Sequence, residues 1–227
     1  MSLAAAAALA APADVAPVKH IGVYVMPYYA AAEKPGDPPK VAVGATFDAL
    51  LASTRKADLL AARNLVESKP QMVTPMTLMV LAIRSYDMGL RDDAVLWFYV
   101  AKDRYFTVRG VLDVGSPGLA QVEDAVRNFA TLAGPFINAY AFCDLAKQRT
   151  IRLKSIAWVE KNTYQALFME QMPARPGKRA ENLKKALAGI REGEEKERQY
   201  FGDKKNMQDF MKARKDNQVE ARFCWAG

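Results

Sequence analysis

The chain has 227 residues, is 51% hydrophobic, and carries a formal net charge of +7 with a pI near 9.3. That length and apolar content exclude a disordered chain and suffice for a core without staples. No uninterrupted apolar run approaches the roughly 20 residues that cross a bilayer, so no membrane span is expected. Two cysteines and a single histidine are too few ligands for a structural zinc site.

Residues 1–17 open with a run from Ala4 to Ala11 that is almost pure alanine, followed by Pro12-Ala13-Asp14. Small residues before a proline-rich start read as a signal-peptide remnant or as a disordered tail. The main helical domain is expected over 18–172. It begins with β-favouring residues at 18–27, where Val23, Tyr24 and Val25 suit a strand and Pro27 ends it. A breaker-rich loop at 33–39 leads to a second short strand at 40–43, making a small hairpin.

The rest reads helical. Thr54 caps a helix to about Ser68, with Leu59, Leu60, Leu65 and Val66 on one face, and Lys69-Pro70 stops it. Thr74 followed by Pro75 is a strong start, and that helix runs to Met88 with Gly89 as its stop. The next carries Asp92 and Asp93 in its first turn and continues to Thr107. Gly115-Ser116-Pro117-Gly118 is a turn before a helix at 119–133, and Gly134-Pro135 breaks or kinks the chain there. Helices at 136–149 and 151–172 follow. The run Arg175-Pro176-Gly177 is the clearest linker, and Gly202 divides two last helices at 178–200 and 203–220. This C-terminal segment, 173–227, holds 14 Lys/Arg against 9 Asp/Glu, so most of the excess charge sits in it. Leu183, Leu187 and Ile190 form an apolar stripe that should dock it on the same domain. The fold class is thus all-α, an irregular set of packed antiparallel helical hairpins with a small N-terminal β-hairpin.

In the hairpin 75–108, Gly89, Ala94, Phe98 and Ala101 are spaced as small and aromatic residues where two helices touch, facing Leu78, Leu81 and Ala82. This pattern resembles one tetratricopeptide repeat. It departs from the family at Phe106, where a proline is expected, and no second copy follows. The resemblance implies a protein-binding scaffold and carries no chemistry. Two groups of candidate binding residues accompany it. Arg84, Asp87, Arg91 and Asp92 gather at the turn as a charged rim or an ion-pair network. Trp97, Tyr99 and Tyr105 project in too many directions for all to face one core.

No catalytic set survives inspection. His20 has no nucleophile elbow to serve, and Ser53-Thr54-Arg55-Lys56 lacks the companion motifs of a serine–lysine enzyme. No Walker loop or calcium loop occurs, so no cofactor and no metal are expected. The acids Glu192, Glu194, Glu195 and Glu197 alternate with Lys196 and Arg198, as on a solvated helix face. Cys143 and Cys224 are either two buried thiols or one bridge, and the compartment decides which. The leading expectation is a non-enzymatic domain that binds another protein: a bacterial envelope adaptor, or an inhibitor or neutraliser of its partner. A periplasmic or secreted location fits the N-terminus, with the cytoplasm as the alternative. An envelope enzyme using carboxylates, and a polyanion binder working through the C-terminal helices, are the competing classes. Nucleic acid is the less expected partner because the basic segment is mixed in charge.

Overall fold

A computed structural model describes residues 16–225. The fold is helical, with a small sheet near the N-terminus. Strands β1 (Tyr24–Val25), β2 (Tyr29–Ala30) and β3 (Lys40–Val41) form an antiparallel sheet in the order β1-β2-β3. Tyr24 pairs with Ala30 and Tyr29 with Val41. The expected hairpin therefore has a third, central strand, because the chain turns back just after Pro27 through a Tyr28 N–H to Val25 C=O bond of 2.9 Å.

Helices α1 (Ala45–Ala52) and α2 (Lys56–Ser68) follow. The eight-residue α1 was not anticipated from the sequence. Its start is held by the Asp48 carboxylate, which accepts from the N–H groups of Val43 and Gly44 at 2.7 and 2.9 Å. α2 begins one residue later than expected, with Arg55 rather than Thr54 at its cap position. Thr54 does not cap it; Ser53 and Arg55 instead bind Asp58 in the first turn.

α3 (Pro75–Asp87) and α4 (Arg91–Val111) form the central hairpin. Thr74 caps α3 by accepting from the Thr77 N–H, and Gly89 closes it in the left-handed region at φ 76°, as the sequence predicts. Every residue from Pro75 to Tyr86 is buried, so α3 is the axis of the core. α4 lies against it, and its other sides meet α5 (Ala120–Ala141), α6 (Leu145–Lys161) and α7 (Arg179–Gly202). Ala94 and Ala101 are fully buried in α4.

Gly134-Pro135 does not end a helix; α5 runs through it. An internal proline costs about 3 kcal/mol, but α5 buries the stripe Val126, Phe129, Ala133 and Ile137 against the core, and that burial outweighs the lost bond. Gly134 stands where an added Cβ would lie 3.3 Å from the Phe98 ring. α6 is shorter than expected and ends at Lys161. Residues beyond it form an irregular segment with a 3-10 turn at Gln165–Phe168. The cause is Arg104, fully buried in α4, which donates to the carbonyls of Pro70, Val73 and Asn162 at 2.6, 2.7 and 2.7 Å. One guanidinium thus ties down two loop ends and stacks near Trp158 and Tyr164.

The C-terminal segment packs on the same body. Ile190 is buried, and Leu183 and Leu187 are half-buried against the two apolar clusters, so the stripe docks as expected. The last expected helix is divided into α8 (Lys204–Asp216) and α9 (Val219–Phe223) at Gln218, whose φ is +53°. Among the described residues no helix is long and apolar enough to cross a membrane.

Candidate functional site

The charged residues at the α3–α4 turn have all found internal partners. The Arg84 guanidinium donates to the carbonyls of Leu51 and Ser53 at 3.0 and 2.9 Å and to Asp87 at 3.2 Å. Asp87 also accepts from the Ile21 N–H at 2.9 Å and lies 3.1 Å from His20 Nδ1. The hydrogen bond to Asp87 raises the His20 pKa above its ordinary value, against the opposing effect of burial. This network floors a pocket of about 510 Å³ that Lys19 and Asp37 also border. Arg84 and Asp87 are committed to these partners, while His20 Nε2 is buried without one among the described residues, and the network clamps the N-terminal segment onto α1 and α3.

Arg91 does the same for the C-terminus. Its guanidinium lies 3.8 Å from the Trp225 ring centre and 4.5 Å from that of Tyr140, and it donates to the carbonyls of Phe223 and Trp225. Asp92 stays exposed, accepting from the Tyr140 hydroxyl at 2.6 Å and pairing with Lys147 at 3.4 Å. Val18 N–H donates to Arg222 C=O at 2.8 Å, so both terminal segments meet at this end. Cys143 and Cys224 are joined here in a disulfide. Of the two alternatives left open by the sequence, the bridge is the one formed.

The candidate rings go mainly to the core. Trp97 and Tyr99 are buried, Trp97 edge-on to Trp158 at 5.8 Å. The Tyr99 hydroxyl accepts from Gln148 at 3.3 Å, and burial pushes its pKa up to about 12. Tyr105 is half-buried against the smaller apolar cluster, its hydroxyl also pushed up to about 12 by burial. Of the two alternatives for the turn, an exposed charged rim is not formed: Arg84 pairs with Asp87, Arg84, Arg91, Trp97 and Tyr99 lie inside, and of the candidate residues only Asp92 is well exposed. The physical reason is that α4 has neighbours on nearly every side, so its rings meet second and third layers rather than water.

An open site lies at the other end of α4. A cleft of about 730 Å³ is bordered by Phe106 and Arg109 of α4, Asp113 just beyond its end, Arg175 of the loop before α7, and Asn182 and Lys185 of α7. Two local features build it. The loop runs antiparallel to the end of α4, with Asp113 N–H to Pro173 C=O and Arg175 N–H to Val111 C=O both at 3.0 Å. α7 crosses α4 so closely at Gly110 that an added Cβ would sit 2.7 Å from the Ala186 methyl. Phe106 rests on Gly189 yet keeps 46% of its surface exposed. Arg109 stands 3.8 Å from Glu123, whereas Arg175 and Lys185 form no ion pair among the described residues. Asp113 is the cleft's acid, and one of its oxygens accepts from the Gly115 N–H. The cleft thus offers three cations, one acid and an exposed ring.

The sequence marks Arg175-Pro176-Gly177 as a linker within the basic C-terminal segment, and the structure makes it one wall of this cleft. The available signal was glycine at 110 and 189 inside helices, which marks a close helix crossing. Among the described residues no group of three or more His, Cys, Asp or Glu could hold a metal ion.

No family model matches the chain, and no solved structure matches it. An uncharacterized protein of Haemophilus influenzae is similar to it, 34% identical over 209 residues that make up 92% of this chain and 80% of that relative. The similarity spans the sheet, the central hairpin and most of the cleft's chain length, and the chain belongs to the same family as this Haemophilus protein.

Proposed function

We propose that the chain is an exported interaction domain of the bacterial envelope, a helical scaffold that takes an acidic segment of a partner protein in the 730 Å³ cleft. The observation that carries this reading is the pair of uncommitted cations, Arg175 and Lys185, beside the half-exposed Phe106 ring. A carboxylate-bearing chain with an apolar side chain matches both features. The α3–α4 hairpin, with its tetratricopeptide-like spacing, serves as the rigid frame. The Cys143–Cys224 bridge supports export, since such bridges persist in oxidising compartments.

The test is fluorescence anisotropy with two labelled peptides of equal length, one of glutamate and phenylalanine, the other with glutamine replacing glutamate. The acidic peptide is expected to bind the better, and its affinity to fall as salt rises through about 0.15 M. Equal affinity for the two peptides contradicts the reading. Duplex nucleic acid that displaces the acidic peptide at that salt would favour the polyanion class instead.

A further inference from the structure

Arg214 of α8 is 6% exposed and points at the disulfide. Its Nη2 stands 3.2 Å from Cys224 Sγ and 3.6 Å from Cys143 Sγ. Nη1 donates to the Ala139 carbonyl at 3.3 Å and Nε to Glu220 at 2.9 Å, which fixes the guanidinium in place. A disulfide carries no charge for a buried cation to neutralise. A thiolate does, so this arrangement complements the reduced state more than the oxidised one. The two sulfurs are also inequivalent. Cys224 is the nearer to Arg214, whereas Cys143 borders a notch of about 30 Å³ with Asp92, Tyr140, Asp144 and Lys147. Both cysteines are half-buried, so neither is sealed from solvent.

We propose that the Cys143–Cys224 bridge is a thiol-exchange site, opened by an external dithiol that attacks Cys143 and expels Cys224. In the first step a thiolate of the dithiol bonds to Cys143 Sγ. The Cys143–Cys224 bond breaks, and its electron pair leaves on Cys224 as a thiolate beside Arg214. In the second step the dithiol's other thiolate attacks its own sulfur in the mixed disulfide and expels Cys143. The dithiol ends as a cyclic disulfide, and the protein has gained two electrons, with protons supplied by the two dithiol thiols. A cation beside the leaving sulfur speeds the first step and stabilises its product. Reduction removes the covalent tie on the C-terminal segment and leaves it to non-covalent anchors, among them Arg91, the Val18–Arg222 bond and the contacts of Arg214 with Ala139 and Glu220.

The experiment treats the folded protein with dithiothreitol and follows bridge opening by thiol alkylation and mass analysis. Arg214→Gln is expected to slow opening about tenfold, the effect of restoring the leaving thiol toward its ordinary pKa. Glu220→Gln removes the exposed carboxylate that offsets the Arg214 charge and is expected to speed opening. The opposite signs keep the test decisive, and Glu220→Gln stands alone if Arg214→Gln fails to fold. Brief exposure to excess glutathione, quenched in acid, is expected to leave the adduct on Cys143. Unchanged or slowed opening in Glu220→Gln, an adduct on Cys224, or opening only after global unfolding would each overturn the proposal.

Discussion

The two ends of α4 carry similar residues put to opposite uses. At the turn end Arg84 and Arg91 are buried, and their guanidinium groups meet carbonyls, a carboxylate or aromatic rings. At the far end Arg175 and Lys185 border an open cleft and form no ion pair among the described residues. A buried cation with its acceptors in place is part of the scaffold, because removing it strands the groups it served. An exposed, uncommitted cation beside an exposed ring adds little to stability and remains available to a ligand. The difference separates scaffold from site without any appeal to residue type.

That contrast breaks most visibly at Arg84. Arg84→Ala leaves the buried Asp87 carboxylate with His20 and the Ile21 N–H but no guanidinium, and strands the carbonyls of Leu51 and Ser53. A loss of about 3–5 kcal/mol is expected in urea unfolding, with binding at the cleft unchanged in the protein that remains folded. Ala94→Leu tests the frame itself. Ala94 is fully buried in the α3–α4 hairpin, and overpacking it is expected to cost about 1–3 kcal/mol; a parental melting curve would place it away from the contact.

A smaller effect concerns pH at the turn end. The His20 pKa is raised in the folded protein by Asp87. The stability this contributes is therefore complete below the ordinary imidazole value of about 6.5 and is lost as pH rises through the raised folded value. Hydrogen exchange at Ile21 is expected to show the N-terminal segment opening more readily as pH rises through the raised His20 value, beyond the intrinsic base-catalysed rate. His20→Gln should abolish that dependence. An unchanged pH profile in His20→Gln would mean that the His20–Asp87 contact is idle.

Much of the fold was legible because its signals are local. Thr74-Pro75 and Gly89 delimit α3 through capping and a left-handed turn, and both work as the sequence predicts. β2 was not legible, since two residues carry no periodicity. Pro135 misled because its local cost is outweighed by packing from α3 and α4, which no window around residue 135 contains. Arg104 shows the same limit: its three carbonyl partners lie 31 to 58 residues away. Of the candidate residues at the turn, Arg84 and Asp87 pair with each other, whereas Arg91 and Asp92 serve separate partners, and which way they faced depended on where residues 18–21 and 222–225 came to rest. The cleft joins residues 106–113 to 174–186, and only the tertiary fold places them together.

The most direct test of the account is the double variant Arg175→Glu/Lys185→Glu, examined for stability and for binding of the glutamate–phenylalanine peptide. Both side chains are exposed and form no ion pair among the described residues, so the unfolding free energy is expected to stay within about 0.5 kcal/mol of the parent. Peptide binding is expected to be lost. A variant that binds the acidic peptide as the parent does would show that the cleft is not the site.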